Sequence, residues 1–317
     1  MAAPPARRSP ALSIVVCTRD RSVLLDRCLA SMRDHGLDDS VEVLVVDNGS
    51  TDATPEVAAT WARRLPIVYV REPEVGLSNA RNRAIAEARG DVLVFVDDDV
   101  TVRPTWLAGY REALQPDVAG AAGRVLLHWP EGRPSWLRPE REAWFARLDL
   151  GDELRPLAPG ERPVGANMGV RRDLARELGG FDPGLGYSGR HLMGNEETDF
   201  FDRIAAAGHR VVYAPAAEVL HHVEGRRVTR RYLVRRLYAQ GRTDVRQARP
   251  SRGGSGDSGH ASGRSVAAVA TAALLRGWGS DARRIVRERP VDRSVTEVAL
   301  RRARLLGRLR ESLARGA

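Results

Sequence analysis

A chain of 317 residues, 43% hydrophobic, is long enough for one large α/β domain with an appendage or for two smaller domains. No apolar run approaches the roughly 18 to 20 residues of a membrane span, and MAAPPARRSP lacks the apolar core of a signal peptide, so the chain reads as cytoplasmic. The net charge is +9 and every basic residue is an arginine; arginine dominates beyond about Gly225, which suits an anionic partner such as lipid or nucleic acid, or a solvated helical face.

Residues 1–10, rich in Pro and Arg, read as disordered. The run Leu12–Cys17 is an apolar strand opening into a polar turn at Thr18, Arg19 and Asp20. A helix follows, because Leu25, Cys28, Leu29 and Met32 recur at helical spacing and Gly36 sits where a C-cap would. Val41–Val46 is a second strand, ending at Asp47, and Ile67–Val70 a third; the β-α-β-α-β alternation predicts a parallel sheet. Cys17 and Cys28 lack the spacing of a zinc site or a disulfide framework and are expected to be buried and reduced. The next helix, GLSNARNRAIAEARG, is expected to be capped by Ser78 or Asn79 and stopped by Gly90. Arg81 falls on its apolar face with Leu77, Ala84, Ile85 and Ala88, where an unpaired charge is costly and an acidic or phosphate partner is required.

Val92–Val96 is an interior strand that ends in three consecutive carboxylates, Asp97, Asp98 and Asp99. Ligands of open α/β sheets sit beyond the carboxyl ends of such strands. Adjacent like charges repel, and Mg²⁺ or Mn²⁺, which prefers carboxylate oxygen and shares its shell with substrate phosphates, removes the conflict. A solvated acidic turn is the plainer alternative.

Downstream, PTWLAGYREAL is a helix with Trp106, Leu107, Tyr110 and Leu114 inward, and Ala119–Leu127 is a strand. Residues 128–165 read as loops and a short helix bordering a pocket. A strand at Ala166–Val170, a helix to Leu178 and a turn at Gly179 and Gly180 follow, and the glycines from Gly184 to Gly194 imply a mobile loop. In the helix Glu196–Ala207, Glu197, Phe200, Phe201 and Ile204 share one face. Glu196, Asp199 and Arg203 lie on the other, which directs Glu197 toward a cleft, leaves Glu196 to solvent and lets Asp199 pair with Arg203. Strand Val211–Pro215 leads to His221 and His222, which could complete a metal shell. Residues 226–247 read as a basic amphipathic helix, 250–264 as a Gly/Ser linker, and 265–314 as two further helical segments.

SIVVCTRDR, VLVVDNGSTD, GLSNARNRAI, FVDDDV, GANMGV, GGFDP, NEETDF and the paired histidines, in that order from Leu12 to His222, together resemble a family 2 glycosyltransferase. The resemblance implies the GT-A fold, a Rossmann-like, mostly parallel central sheet with flanking helices, over residues 11–225, and it leaves 226–317 as a basic helical extension. It also implies that Thr18, Arg19, Asp20 and Asp47 hold the nucleoside, Asp47 at the base, and that Arg81 contacts the nucleotide. Asp99 matches the direct metal ligand of the DxD motif, Asp97 or Asp98 the ribose and metal-shell contacts, and His221 a further metal ligand. Within NEETDF the general base falls on Glu197, with Glu196 as the alternative.

The implied reaction is inverting transfer of a sugar from a nucleotide-diphosphate-sugar, with Mn²⁺ or Mg²⁺ as cofactor. The acceptor is the hydroxyl of a carbohydrate, a lipid-linked molecule or a small molecule, and the basic extension could contact a membrane surface peripherally. A sugar-phosphate nucleotidyltransferase would want a catalytic lysine in a phosphate loop, and the chain contains no lysine. A nucleic-acid-binding protein would interleave basic residues with exposed aromatics, yet aromatic content is 5% and most Trp and Tyr fall on apolar faces, so no nucleic-acid partner is expected.

Overall fold

Long buried runs of Val, Ile and Leu make the strands of the first half of the chain, and they pair as the alternation requires. Leu12–Thr18 (β1), Val41–Asp47 (β2), Ile67–Arg71 (β3) and Val92–Asp97 (β4) are all parallel, in the order β3-β2-β1-β4. The computed structural model describes residues 11–188, 194–247 and 291–316. The N-terminal decapeptide, residues 189–193 of the glycine-rich loop, the linker near 250–264 and the stretch 265–290 lie outside them.

Past β4 the nine-stranded sheet becomes mixed. Only Asp98 and Asp99 separate β4 from Val100–Val102 (β5), too short a connection for a parallel crossover, so β5 pairs antiparallel with Val211–His222 (β9) instead. Gly120–His128 (β6) runs parallel to β9, Arg155–Pro156 (β7) antiparallel to it, and Asn167–Arg171 (β8) antiparallel to both β4 and β6. Strand β9 is longer than the expected Val211–Pro215. Its pairing with β6 passes from Gly123↔Ala214 to Val125↔Val219, so the residues around Pro215 bulge and the strand resumes as far as His222.

The pleat divides the core into two layers. Ile14 and Val16 of β1, Val43 and Val45 of β2, and Val94 and Val96 of β4 face Ser22–Asp34 (α1), Thr54–Trp61 (α2) and Trp106–Ala113 (α4). Val15, Leu44, Val46, Leu93 and Phe95 face Leu77–Glu87 (α3), Arg172–Glu177 (α5) and Glu196–Ala206 (α6). Helix α3 begins two or three residues earlier than expected: Gly76 is its N-cap, and Ser78 is already buried inside the first turn. Asn48 explains the shift, since its Oδ1 accepts from Gly76 N (2.7 Å) while its Nδ2 donates to the carbonyls of Glu72 and Glu74.

One buried amide locks the second half of the sheet. Asn167 Oδ1 accepts from Trp106 Nε1 (2.9 Å) and Tyr110 Oη (2.8 Å), and its Nδ2 donates to the carbonyls of Arg124 (3.0 Å) and Ala217 (2.7 Å). Helix α4 comes close enough to β9 that a Cβ on Gly109 would lie 2.3 Å from Ala217 N.

The described chain divides into two compact units. The first runs to Glu131 and takes in Pro139–Gly184 and Glu196–Val223. The second comprises Gly132–Arg138, Leu185–Asn195 and the chain from Glu224 on, including Arg230–Gln247 (α7) and Val291–Gly316 (α8). Helices α7 and α8 cross at two glycines: a Cβ on Gly241 would fall 1.9 Å from Arg304 O, and one on Gly307 1.9 Å from Tyr238 O. Asp244 holds the crossing, accepting from Arg304 Nε (2.9 Å) and Arg308 Nη2 (2.6 Å). Among the described residues no helix is long and apolar enough to cross a membrane.

Candidate active site

Strands β2, β1 and β4 end side by side, with Thr18 in register with Asp47 and Cys17 with Asp97. Their carboxyl ends form the crevice edge at which open α/β sheets bind ligands. Asp47 is buried there with both oxygens engaged, Oδ1 by Ser50 N (2.7 Å) and Oδ2 by Tyr69 Oη (2.5 Å). Burial and the hydrogen bond to Asp47 push the Tyr69 hydroxyl up to about 12.

The three consecutive aspartates have three different surroundings. Asp97 is about one-third exposed and stands 3.7 Å from Arg81 Nη2. Asp98 and Asp99 are buried. Asp98 Oδ2 accepts from Thr18 Oγ1 (2.7 Å), and Arg21 bridges the pair, Nη1 to Asp98 Oδ1 and Nη2 to Asp99 Oδ2, both at 2.6 Å. Burial raises the pKa of Asp98, opposed by the charge of Arg21 and reinforced by that of Asp99. Arg21 was not among the residues singled out from the sequence. The only signal for it was its place three residues after Thr18, in the turn that follows β1.

The pleat of β9 separates the two histidines. His221 is buried with Nε2 3.3 Å from Asp99 Oδ1, whereas His222 Nε2 meets Thr101 Oγ1 (3.1 Å) and its ring packs on His128. His221 Nδ1 lies 2.7 Å from Phe145 O. A carbonyl only accepts, so Nδ1 carries the proton and Nε2 is the nitrogen turned to Asp99, the arrangement by which metal-binding histidines are oriented. Among the described residues no three carboxylate, imidazole or thiolate side chains converge as a metal site. The structure brings Asp99 and His221 together, while Asp97 turns to Arg81. A carboxylate oxygen and an imidazole nitrogen on one side fit an ion that takes its remaining ligands from phosphate oxygens and water.

Arg19 and Asp20 stand at the rim, 38% and 43% exposed and paired with each other at 3.6 Å. Asp20 adopts a left-handed conformation (φ 51°) and accepts from Thr51 N (2.7 Å), a bond that lowers its pKa and joins the β1 turn to the β2 turn. Asp52 completes that joint by accepting from Ser22 N (2.9 Å) at the start of α1.

Arg81 is buried, as its place on the apolar face of α3 required, and its acidic partner is Glu196: Nη1 meets Oε1 at 2.8 Å. Its Nη2 donates to Gly165 O (3.2 Å), where a Cβ would come within 2.6 Å of that nitrogen, and the guanidinium lies over the Phe181 ring. Phe181 is held there by Asn82, which exchanges two hydrogen bonds with its backbone (2.7 and 2.8 Å). The expected phase of α6 is therefore corrected. Glu196 is 3% exposed and shares the inner face with Phe200 and Ile204, while Glu197 is half-buried beside it. Asp199 does pair with Arg203, at 3.0 Å. Desolvation, then the charge of Glu196, push the Glu197 carboxyl up to about 8 against the opposing charge of Arg81.

A cleft of about 590 Å³ opens elsewhere in this unit, between the start of α4 and the bulge of β9, lined by Arg103, Glu112, Arg124, Asp152 and Glu218. It includes none of the strand-end residues. Arg124 faces it fully engaged, with Tyr213 Oη and Asp152 among its partners.

The fold and this edge define an α/β protein with a ligand-binding crevice at its strand ends, and comparison with known proteins gives the family. The model of Glycosyl transferase family 2 matches residues 13–179, more than half of the chain, and the protein belongs to that family. The succinoglycan biosynthesis protein ExoM of Rhizobium meliloti is 32% identical over 243 residues, 74% of each chain. An N-acetylglucosaminyl-diphospho-decaprenol L-rhamnosyltransferase of Mycobacterium tuberculosis is 35% identical over 242 residues, 67% of this chain and 76% of that one. Among solved structures, the mannosyltransferase PcManGT from Pyrobaculum calidifontis, in complex with GDP-Man and Mn²⁺, superposes with a TM-score of 0.61 at 20% identity, over 96% of this chain and 89% of that one. The fold is thus GT-A, and the chain is a glycosyltransferase. Family membership supports glycosyl transfer over nucleotidyl transfer.

Proposed function

We propose that the protein transfers a sugar from a nucleotide-diphosphate-sugar to the hydroxyl of a lipid-linked or carbohydrate acceptor, with inversion at the anomeric carbon. One observation carries the reading: Arg81 spans from Asp97 at the strand edge to Glu196, the neighbour of Glu197, which supports taking the acidic edge and the candidate base as parts of one site. Asp47, Thr18 and Asp98 would hold the nucleoside, Asp47 at the base and Asp97 or Asp98 at the ribose. Arg19 and Asp20 would shape the rim of that pocket. Arg81, buried against Glu196, would act on the nucleotide through Asp97.

Asp99 and His221 would hold Mn²⁺ or Mg²⁺, which when bound supplies positive charge to the departing diphosphate. Glu197 takes the proton of the acceptor hydroxyl as that oxygen attacks opposite the leaving group. Its raised proton affinity suits this task, because a base works best with a pKa near the working pH. Buried Glu196 is taken up by its pair with Arg81. A lipid-linked acceptor is suggested by the names of two relatives, the decaprenol-dependent rhamnosyltransferase and a glucosyl-dolichyl phosphate glucuronosyltransferase of Haloferax volcanii, 26% identical over 239 residues. The arginine-rich helices α7 and α8 suit peripheral contact with an anionic, cytoplasm-facing membrane.

Thermal-shift screening of nucleotide-sugars with Mn²⁺ identifies the donor. NMR of the product formed on a polyprenyl-diphosphate-sugar then reads the anomeric outcome. Retention of configuration, or no donor that shifts the melting temperature, would count against the proposal.

A further inference from the structure

We propose that Arg21 is a resident counter-cation of the acidic strand end: its guanidinium neutralises Asp98 and Asp99 in the absence of a divalent ion and competes with that ion for the same carboxylates. The inference rests on the reading of Asp99 as a cation ligand.

The geometry is that of a bridge. One guanidinium spends its two terminal nitrogens on two different carboxylates, each at 2.6 Å, so its positive charge is centred between them. Burial is unequal across the bridge: the side chains of Asp98 and Asp99 are 2% and 4% exposed and that of Arg21 is 30% exposed. The acids are fixed and the arginine reaches them from the solvent edge. Asp98 has another anchor in Thr18 Oγ1, and the Asp99 backbone is fixed through its own carbonyl, which accepts from His222 N (2.9 Å). They would therefore keep their places if the guanidinium withdrew.

Helix architecture points the same way. Arg21 occupies the N-cap of α1, where Ser, Thr, Asp or Asn is favoured, and its side chain makes no cap hydrogen bond. Its carbonyl accepts from Leu24 N and Leu25 N, and Asp52 serves Ser22 N. The backbone of Arg21 builds the helix start while the side chain goes to the acids. A divalent ion at Asp99 and this guanidinium are like charges seeking the same carboxylate, so occupancy by one disfavours the other.

The test is calorimetric titration of the full chain with Mn²⁺ alone, without nucleotide, together with melting in EDTA and in saturating Mn²⁺. Arg21→Gln should bind Mn²⁺ about tenfold more tightly than the wild type, the scale of losing one partly exposed ion-pair competitor. It should melt lower in EDTA, with the gap closing in Mn²⁺. Arg21→Lys, which keeps a charge but can reach only one carboxylate at a time, should fall between, and it serves as the test protein if Arg21→Gln does not fold without metal. Equal or weaker Mn²⁺ binding by the variants, against measurable binding by the wild type, overturns the inference and leaves the cation site standing. No Mn²⁺ binding by wild type or variants removes the cation site, and the inference with it.

Discussion

Arg81 and Glu196 meet at 2.8 Å with both side chains buried, tying α3 to the first turn of α6 across 115 residues of chain. The pair fixes where Glu197 stands relative to the acidic strand edge, because Glu197 follows Glu196 on the same helical turn. Mutual attraction and the bond from Arg81 to Gly165 O offset part of the cost of desolvating the two side chains.

Removing one member alone should therefore be expensive. Glu196→Ala is expected to lower unfolding free energy by about 3–5 kcal/mol, the usual cost of leaving a buried charge unpaired. Replacing both residues with Met should recover most of that loss. Urea denaturation of the two singles and the double settles it; a mild Glu196→Ala phenotype would mean that the pair is not closed in solution.

Glu197 should behave differently, losing chemistry rather than stability. Glu197→Gln is expected to lower turnover by about 10²- to 10⁴-fold with donor affinity nearly unchanged. In the wild type, kcat/KM should rise with pH through about 8 as the carboxyl gives up its proton. Its proton affinity in the folded state is raised above the ordinary value of 4.5, so the stability it contributes is full below about pH 4.5 and is lost as pH rises toward 8. The melting temperature of Glu197→Gln relative to wild type should accordingly climb between pH 5 and 8. A flat difference would place the carboxyl in water.

Asn167 is a purely structural prediction. Asn167→Ala removes at once the partner of Trp106 Nε1, of Tyr110 Oη, of the buried Ala217 carbonyl and of the part-buried Arg124 carbonyl. With about 1–3 kcal/mol for each unsatisfied group and partial rescue by water, a loss of several kcal/mol is expected in chemical denaturation. A loss below about 1 kcal/mol would show that water replaces the amide outright.

These contrasts show what the sequence could and could not convey. Strands β1, β2 and β4 were legible because each is a continuous buried run with a polar end. The burial of Arg81 was legible because 3.6-residue spacing put it among Leu77, Ala84 and Ile85. The phase of α6 was misread because hydropathy treats every glutamate as polar, and only the arrival of Arg81 from α3 makes Glu196 an interior residue. Arg21 went unnoticed because its partners lie 77 and 78 residues further on, in the turn after β4. The choice between His221 and His222 needed the true length of β9, which the bulge near Pro215 concealed.

The account stands most directly on Asp99. Calorimetric titration of the nucleotide-sugar donor into the wild type and Asp99→Ala, each with Mn²⁺ and with EDTA, reads the cation and the donor together. Metal-dependent donor binding by the wild type, abolished in an Asp99→Ala variant that still unfolds cooperatively, is the predicted result. Equal donor affinity in the two proteins, or wild-type binding indifferent to EDTA, would contradict the assignment of a cation to Asp99 and His221.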